Sequence, residues 1–192
     1  MAKTGATTTT NRDGALNAAV EIVGTQGIHA LTHGRVDTTA GLPKGSTSNY
    51  FRNRAALIRA TVDHLVTAEQ SILTNDPESR TIDDLVNALV EFVHDAAGPQ
   101  RTLTTARFAF FIEASHNDQV REGLVPARRR VETWAARTLE TLAIPAPFAA
   151  ARRILAQLEG LILHNLTFGD DSTNRADIAA VVQSCLRDPQ VP

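Results

Sequence analysis

A run of seven residues, Lys44-Gly45-Ser46-Thr47-Ser48-Asn49-Tyr50, gathers side chains that hydrogen-bond well and occupy little space. Lys44 has the reach and charge for a guanine edge or a phosphate. Asn49 carries the donor and acceptor that match adenine in a major groove. Ser46 suits a base or the sugar-phosphate backbone, and the hydroxyls of Ser48 and Tyr50 suit phosphate oxygens. Gly45 lets the main chain come close to a ligand. Arg54 lies in the first turn of the next expected helix, where its charge and the free amides form a second phosphate clamp. Thr32 and Arg35 flank the other side. The chemistry open to this set is recognition of duplex DNA.

Bond-making chemistry has less support. The histidines stand at 29, 33, 64, 94, 116 and 164, without the close spacing of a metal-ligand motif. GLPKGS has a glycine and a lysine but lacks the spacing and preceding strand of a nucleotide-binding loop. The chain therefore reads as a non-enzyme that needs no metal and no cofactor. Cys185 is the single cysteine and sits among Val181, Val182 and Leu186, so it reads as a buried thiol.

The overall charge is −2, but its distribution is uneven. Residues 1–60 hold seven Lys/Arg against three Asp/Glu, a balance of +4, while the remaining 132 stand at −6. A basic head on an acidic body suits a protein that touches a polyanion at one end. No apolar run approaches membrane-spanning length, and MAKTGATTTTNRDG lacks the apolar core of a secretion signal. The expectation is a cytoplasmic protein with no membrane partner.

Positioning the polar run is the task of the surrounding elements. Apolar residues recur at helical spacing over 11–26 and Gly27 stops that pattern. Thr32 caps a short helix over 33–40, Gly41 ends it, and Leu42-Pro43 makes a tight corner. A second short helix follows over 44–50. It is poor helix material, since Gly, Ser, Thr and Asn are costly there. A helix built only for structure would rarely be made so. Val36, Ala40, Leu42, Thr47 and Phe51 form a small core with Val20, Val23 and Leu31. Asn53 caps a long helix that ends before Pro77, and Thr81 with Asp84 forms a capping box for the next. Gly98-Pro99 breaks the chain. Helices are expected over 102–115, 120–143, 148–168 and 174–187. The fold class is all-α, about nine helices. The expected division is a flexible arm at 1–10, a helix-turn-helix domain at 11–55 and a helical regulatory and dimerisation domain at 56–192.

AGLPKGSTSNYFRNRAALI resembles the DNA-binding domain of TetR-family transcriptional regulators. The match rests on Thr32, Arg35, Val36, Ala40-Gly41-Leu42, Lys44-Gly45-Ser46, Asn49-Tyr50-Phe51, Asn53, Ala56 and Leu57. Two positions depart from the pattern. Asp37 stands where a small apolar residue is usual, and reads as a local cap or a partner for Arg35. Ser48 stands where tyrosine is frequent, which shortens or removes a phosphate contact. The resemblance implies a homodimer on a palindromic double-stranded operator, repressing until a small-molecule effector changes the spacing of the two heads. An activator using the same domain, or a helical interaction module in which 44–50 pack against protein, stays open.

The body carries two further expectations. Ile154, Leu155, Leu158, Leu161 and Ile162 cover more than a narrow stripe of one helix, and Ile178, Val181 and Val182 line the last. Two such helices from each copy can form a four-helix interface, unless the bundle buries them itself. Phe92, Phe108, Phe111 and Trp134, with His94, His116 and Asn165, are candidates to line a mostly apolar effector pocket. They serve equally well as core.

Overall fold

The structure is a computed structural model that describes residues 10–73, 81–169 and 173–186. The arm expected over 1–10, apart from Thr10, lies outside the described residues, as does most of the GDDST turn. The described chain runs α1 (Asn11–Gln26), α2 (His33–Thr39), α3 (Ser46–Tyr50), α4 (Arg54–Leu73), α5 (Ile82–Ala97), α6 (Arg101–Ala114), α7 (Asp118–Thr141), α8 (Pro147–Phe168) and α9 (Arg175–Leu186). One 3-10 turn, Ile28–Ala30, separates α1 from α2. The described residues are all-helical, and none of these helices is long and apolar enough to cross a membrane.

Local chemistry sets the helix starts. Oγ1 of Thr32 accepts from the Arg35 amide at 3.3 Å, and Oδ1 of Asn53 accepts from the Ala56 amide at 2.9 Å. At α5 the capping box closes both ways: Asp84 N–H donates to Thr81 Oγ1, and Thr81 N–H donates to Asp84 Oδ2. Each such cap contributes about 1 kcal/mol.

Two hydrophobic cores organise the helices. One joins Leu16, Val23, Leu31, Val36, Phe51, Leu57 and Leu65 of α1–α4 and their links to Phe110 of α6 and Val120 and Leu124 of α7. The other joins α5, the second half of α7, α8 and α9 through residues such as Val93, Leu139, Leu158 and Ile178. The boundary expected between 55 and 56 falls inside α4, and the first core runs through it into the body. Phe110 is fully buried in this shared core. α1 and α6 pack closely: a Cβ on Gly24 would stand 2.2 Å from the Thr102 carbonyl oxygen. The head is therefore seated on the first turn of α6.

Candidate nucleic-acid interface

α3 has five residues, too few to hold a helix alone. Its N-cap position is Gly45, which has no side chain to offer and sits at φ +91°. The missing cap comes from α2. Asp37 is buried, at 4% exposure. One carboxylate oxygen accepts from Gly45 N–H at 2.7 Å. The other accepts from Thr47 N–H at 2.8 Å and from the Thr47 hydroxyl at 2.5 Å. Thr47 is itself fully buried. Burial alone would raise the Asp37 pKa. The Thr47 hydroxyl and amide, the Gly45 amide and the nearby His33 more than offset that, and hold the carboxyl below its ordinary range.

Asp37 therefore joins α2 to α3 and does not pair with Arg35, whose guanidinium Nη1 donates to Gln26 Oε1 at 2.8 Å. A carboxylate with three convergent donors outcompetes an exposed arginine for this position. The signal in the sequence was the conjunction of an acid on the apolar side of α2 and a capless start to α3. The corner between them is tight. Leu42 N–H donates to the Asp37 carbonyl at 2.8 Å, and Gly41 turns the chain at φ +64°. His33 Nε2–H donates to the Phe51 carbonyl at 2.7 Å, fixing the far end of α3 to the start of α2.

With the inner side pinned, the outer side is defined. Lys44, Ser48, Asn49 and Tyr50 are exposed, and Gly45 and Ser46 are half-buried. The Ser46 hydroxyl donates to the Pro43 carbonyl at 2.7 Å, which leaves its oxygen as an acceptor. Thr32 and Arg35 are exposed at the start of α2. Arg54 is exposed too, and its Nη2 donates to the Ile28 carbonyl at 3.0 Å, so part of its donor set is already engaged. The arrangement offers a short ridge of amide, ammonium and hydroxyl groups on a backbone tied to α2 at Gly45, Thr47 and Phe51.

The candidate pocket residues do not converge. His94 and Asn165 line a cavity of about 220 Å³ with Val90, Val93, Ala97, Thr173 and Ile178. Asn165 Oδ1 accepts from the Thr173 hydroxyl at 3.1 Å. Phe108 and Phe111 meet edge to face at 5.9 Å, Phe108 packing on the second core and Phe111 on the first. Phe92 packs on the second core. Trp134 lines a separate cleft on α7, and His116 stands exposed between α6 and α7 beside Glu113.

Five of the eight candidate dimer residues turn inward. Ile154, Leu158, Ile162, Ile178 and Val182 are buried in the protein's own second core. Helix α8 is sandwiched between α7, α5 and α9, so its widest apolar side is consumed there. Leu155, Leu161 and Val181 are half-buried. The outward side of α8 carries Ala149, Arg152, Ala156, Gly160, Leu163 and Thr167.

Comparison with known proteins extends the geometry. Residues 80–188 match the family described as "Tetracyclin repressor-like, C-terminal domain". The HTH-type transcriptional regulator BetI of Rhizobium meliloti (strain 1021) is 29% identical over 125 residues, 64% of this chain. The match spans 61% of that relative's length. Among solved structures, a transcriptional regulator of Streptomyces coelicolor A3(2) superposes with a TM-score of 0.74 at 21% identity, covering 93% of this chain and 99% of its own. The multidrug binding protein EbrR, complexed with ethidium, gives a TM-score of 0.74 at 20% identity, covering 93% and 100%. At these identities the structural likeness speaks for the fold.

Proposed function

Because the chain belongs to the TetR family of transcriptional regulators, we propose that it is a homodimeric repressor whose α3 enters successive major grooves of a palindromic operator. The observation that carries this reading is the exposed polar ridge from Lys44 to Tyr50 above an inner side pinned by Asp37. Lys44 and Asn49 read bases, and Ser48, Tyr50, Arg35, Thr32 and Arg54 hold phosphates.

The dimer forms through the outward side of α8. Ala156 and Gly160 are small and exposed, and a Cβ on Gly160 would meet nothing within 4 Å in the monomer. Leu163 lies one turn further on, 46% exposed. Small residues followed by an exposed leucine suit close approach of a symmetry-related helix.

A small-molecule effector, on this reading, enters the cavity lined by His94 and Asn165. The route to the head is contiguous. Arg101 Nη2 donates to the Leu166 carbonyl at 2.7 Å, next to Asn165, and Thr102 abuts Gly24 of α1. A ligand that shifts the end of α8 or the corner between α5 and α6 moves the seat of the head.

Selection of bound duplexes from a random pool, followed by a screen for compounds that release them, tests the reading. It predicts two-fold symmetric sites and steep loss of binding with salt. Enrichment of no common sequence would overturn it.

A further inference from the structure

Trp134 is the only tryptophan in the chain, and neither the DNA-binding face nor the α5–α8–α9 cavity uses it. It lines a cleft of about 340 Å³ on α7 together with Arg129, Arg130, Thr133 and Arg137. These positions fall on one side of the helix, away from the buried Leu124 and Leu139. The side chains that shape the cleft are donors. Thr133 already gives its hydroxyl hydrogen to the Arg129 carbonyl at 2.8 Å. Among the described residues, the guanidiniums of Arg129 and Arg137 have no carboxylate partner, and the Trp134 indole N–H has no acceptor.

The neighbouring arginine makes the contrast. Arg128, on the side of α7 that faces α8, is paired with Glu132 at 2.9 Å and with Glu159. Where α7 meets protein, its arginine is satisfied by protein. In the cleft, guanidiniums gather in a body whose net charge from residue 61 onward is −6. Such a lining selects a ligand that is anionic, rich in acceptors and flat enough to lie on an indole. Guanidinium groups hold carboxylates through charge-assisted hydrogen bonds, and the indole supplies the apolar contact.

We propose that this cleft is a binding site for an aromatic organic anion, its oxyanion held by Arg129 and Arg137 and its ring set against Trp134. The site is distinct from the His94–Asn165 cavity, and it does not rest on operator binding.

Calorimetric titration of the full chain with 2-naphthoate, its neutral isostere 2-naphthamide and inorganic phosphate tests this. The expected result is 2-naphthoate binding at least about tenfold more tightly than either of the others, the difference that one charge-assisted hydrogen bond supplies. Arg129→Gln with Arg137→Gln should lose about tenfold for 2-naphthoate, while Arg121→Gln, an exposed arginine near the start of α7, should lose nothing. Trp134→Leu should weaken 2-naphthoate and leave phosphate unchanged. All four positions are exposed or half-buried, so melting curves matching the parent should accompany these losses. Absence of 2-naphthoate binding, equal binding of acid and amide, or full binding by the double variant overturns the proposal. Phosphate bound as tightly as 2-naphthoate overturns it too, since the indole would then have no part.

Discussion

Asp37 decides where Lys44, Ser48 and Asn49 can point, because α3 is too short to hold its own course. Asp37→Asn keeps the shape but turns an amide NH₂ toward one of the two backbone donors it now accepts. A buried donor left unsatisfied costs about 1–3 kcal/mol. Urea denaturation should show that loss, with weaker binding to the selected operator. The pH dependence has a definite sign. A carboxyl held below its ordinary range contributes its full stability above the unfolded pKa, about 3.9, and loses it as pH falls through the folded value. Stability measured from about pH 5 downward should fall more steeply in the parent than in Asp37→Asn. The outer residues divide differently. Lys44→Ala and Asn49→Ala should weaken the selected operator by about 1–3 kcal/mol each and random duplex less. Arg54→Ala should weaken both, and also release the Ile28 carbonyl. Thr32, Asn53 and the Thr81–Asp84 box were legible in the sequence, since a cap lies next to the helix it serves. Asp37 reaches eight and ten residues ahead across a turn, and no local pattern encodes that partner.

Between elements, the proposed coupling of effector to head runs through the packing of α1 on α6. Gly24 meets the Thr102 carbonyl so closely that Gly24→Ala must push the two helices apart. Overpacking of this kind costs about 1–3 kcal/mol, and it falls on the seat of the head. The expected outcome is a lowered Tm and an effector response in operator release that is reduced or lost, read by titrating compounds against the bound duplex. The helices themselves were legible, because apolar periodicity and capping residues mark them out. Their neighbours were not. The broad apolar cover of α8 required burial, but periodicity does not say by what, and Ile154, Leu158 and Ile162 turned out to serve the protein's own core. For the same reason Trp134, Phe111 and His94, equally plausible as pocket residues by type, ended in three separate places.

At the scale of the whole molecule, binding of a palindromic operator requires two heads held at a fixed separation. The outward side of α8 is where the second copy is expected. Gly160→Glu starts from an open position, since nothing lies within 4 Å of the added Cβ, and places a charge on that surface. Light scattering should report a shift toward monomer, and operator affinity should fall as two half-sites are no longer held together. An unchanged dimer would move the interface elsewhere. The shared first core makes the head a continuation of the body, so displacement of α6 has a direct path to α3 through α1. On the proposed reading α3 lies in the major groove, and guanine N7 is exposed there alone. Dimethyl sulfate protection on the selected operator therefore tests it most directly. The expected pattern is N7 protection in two patches about one helical turn apart, lost at the contacted base in Lys44→Ala. Protein-bound operator with every guanine N7 as reactive as in free DNA would contradict it.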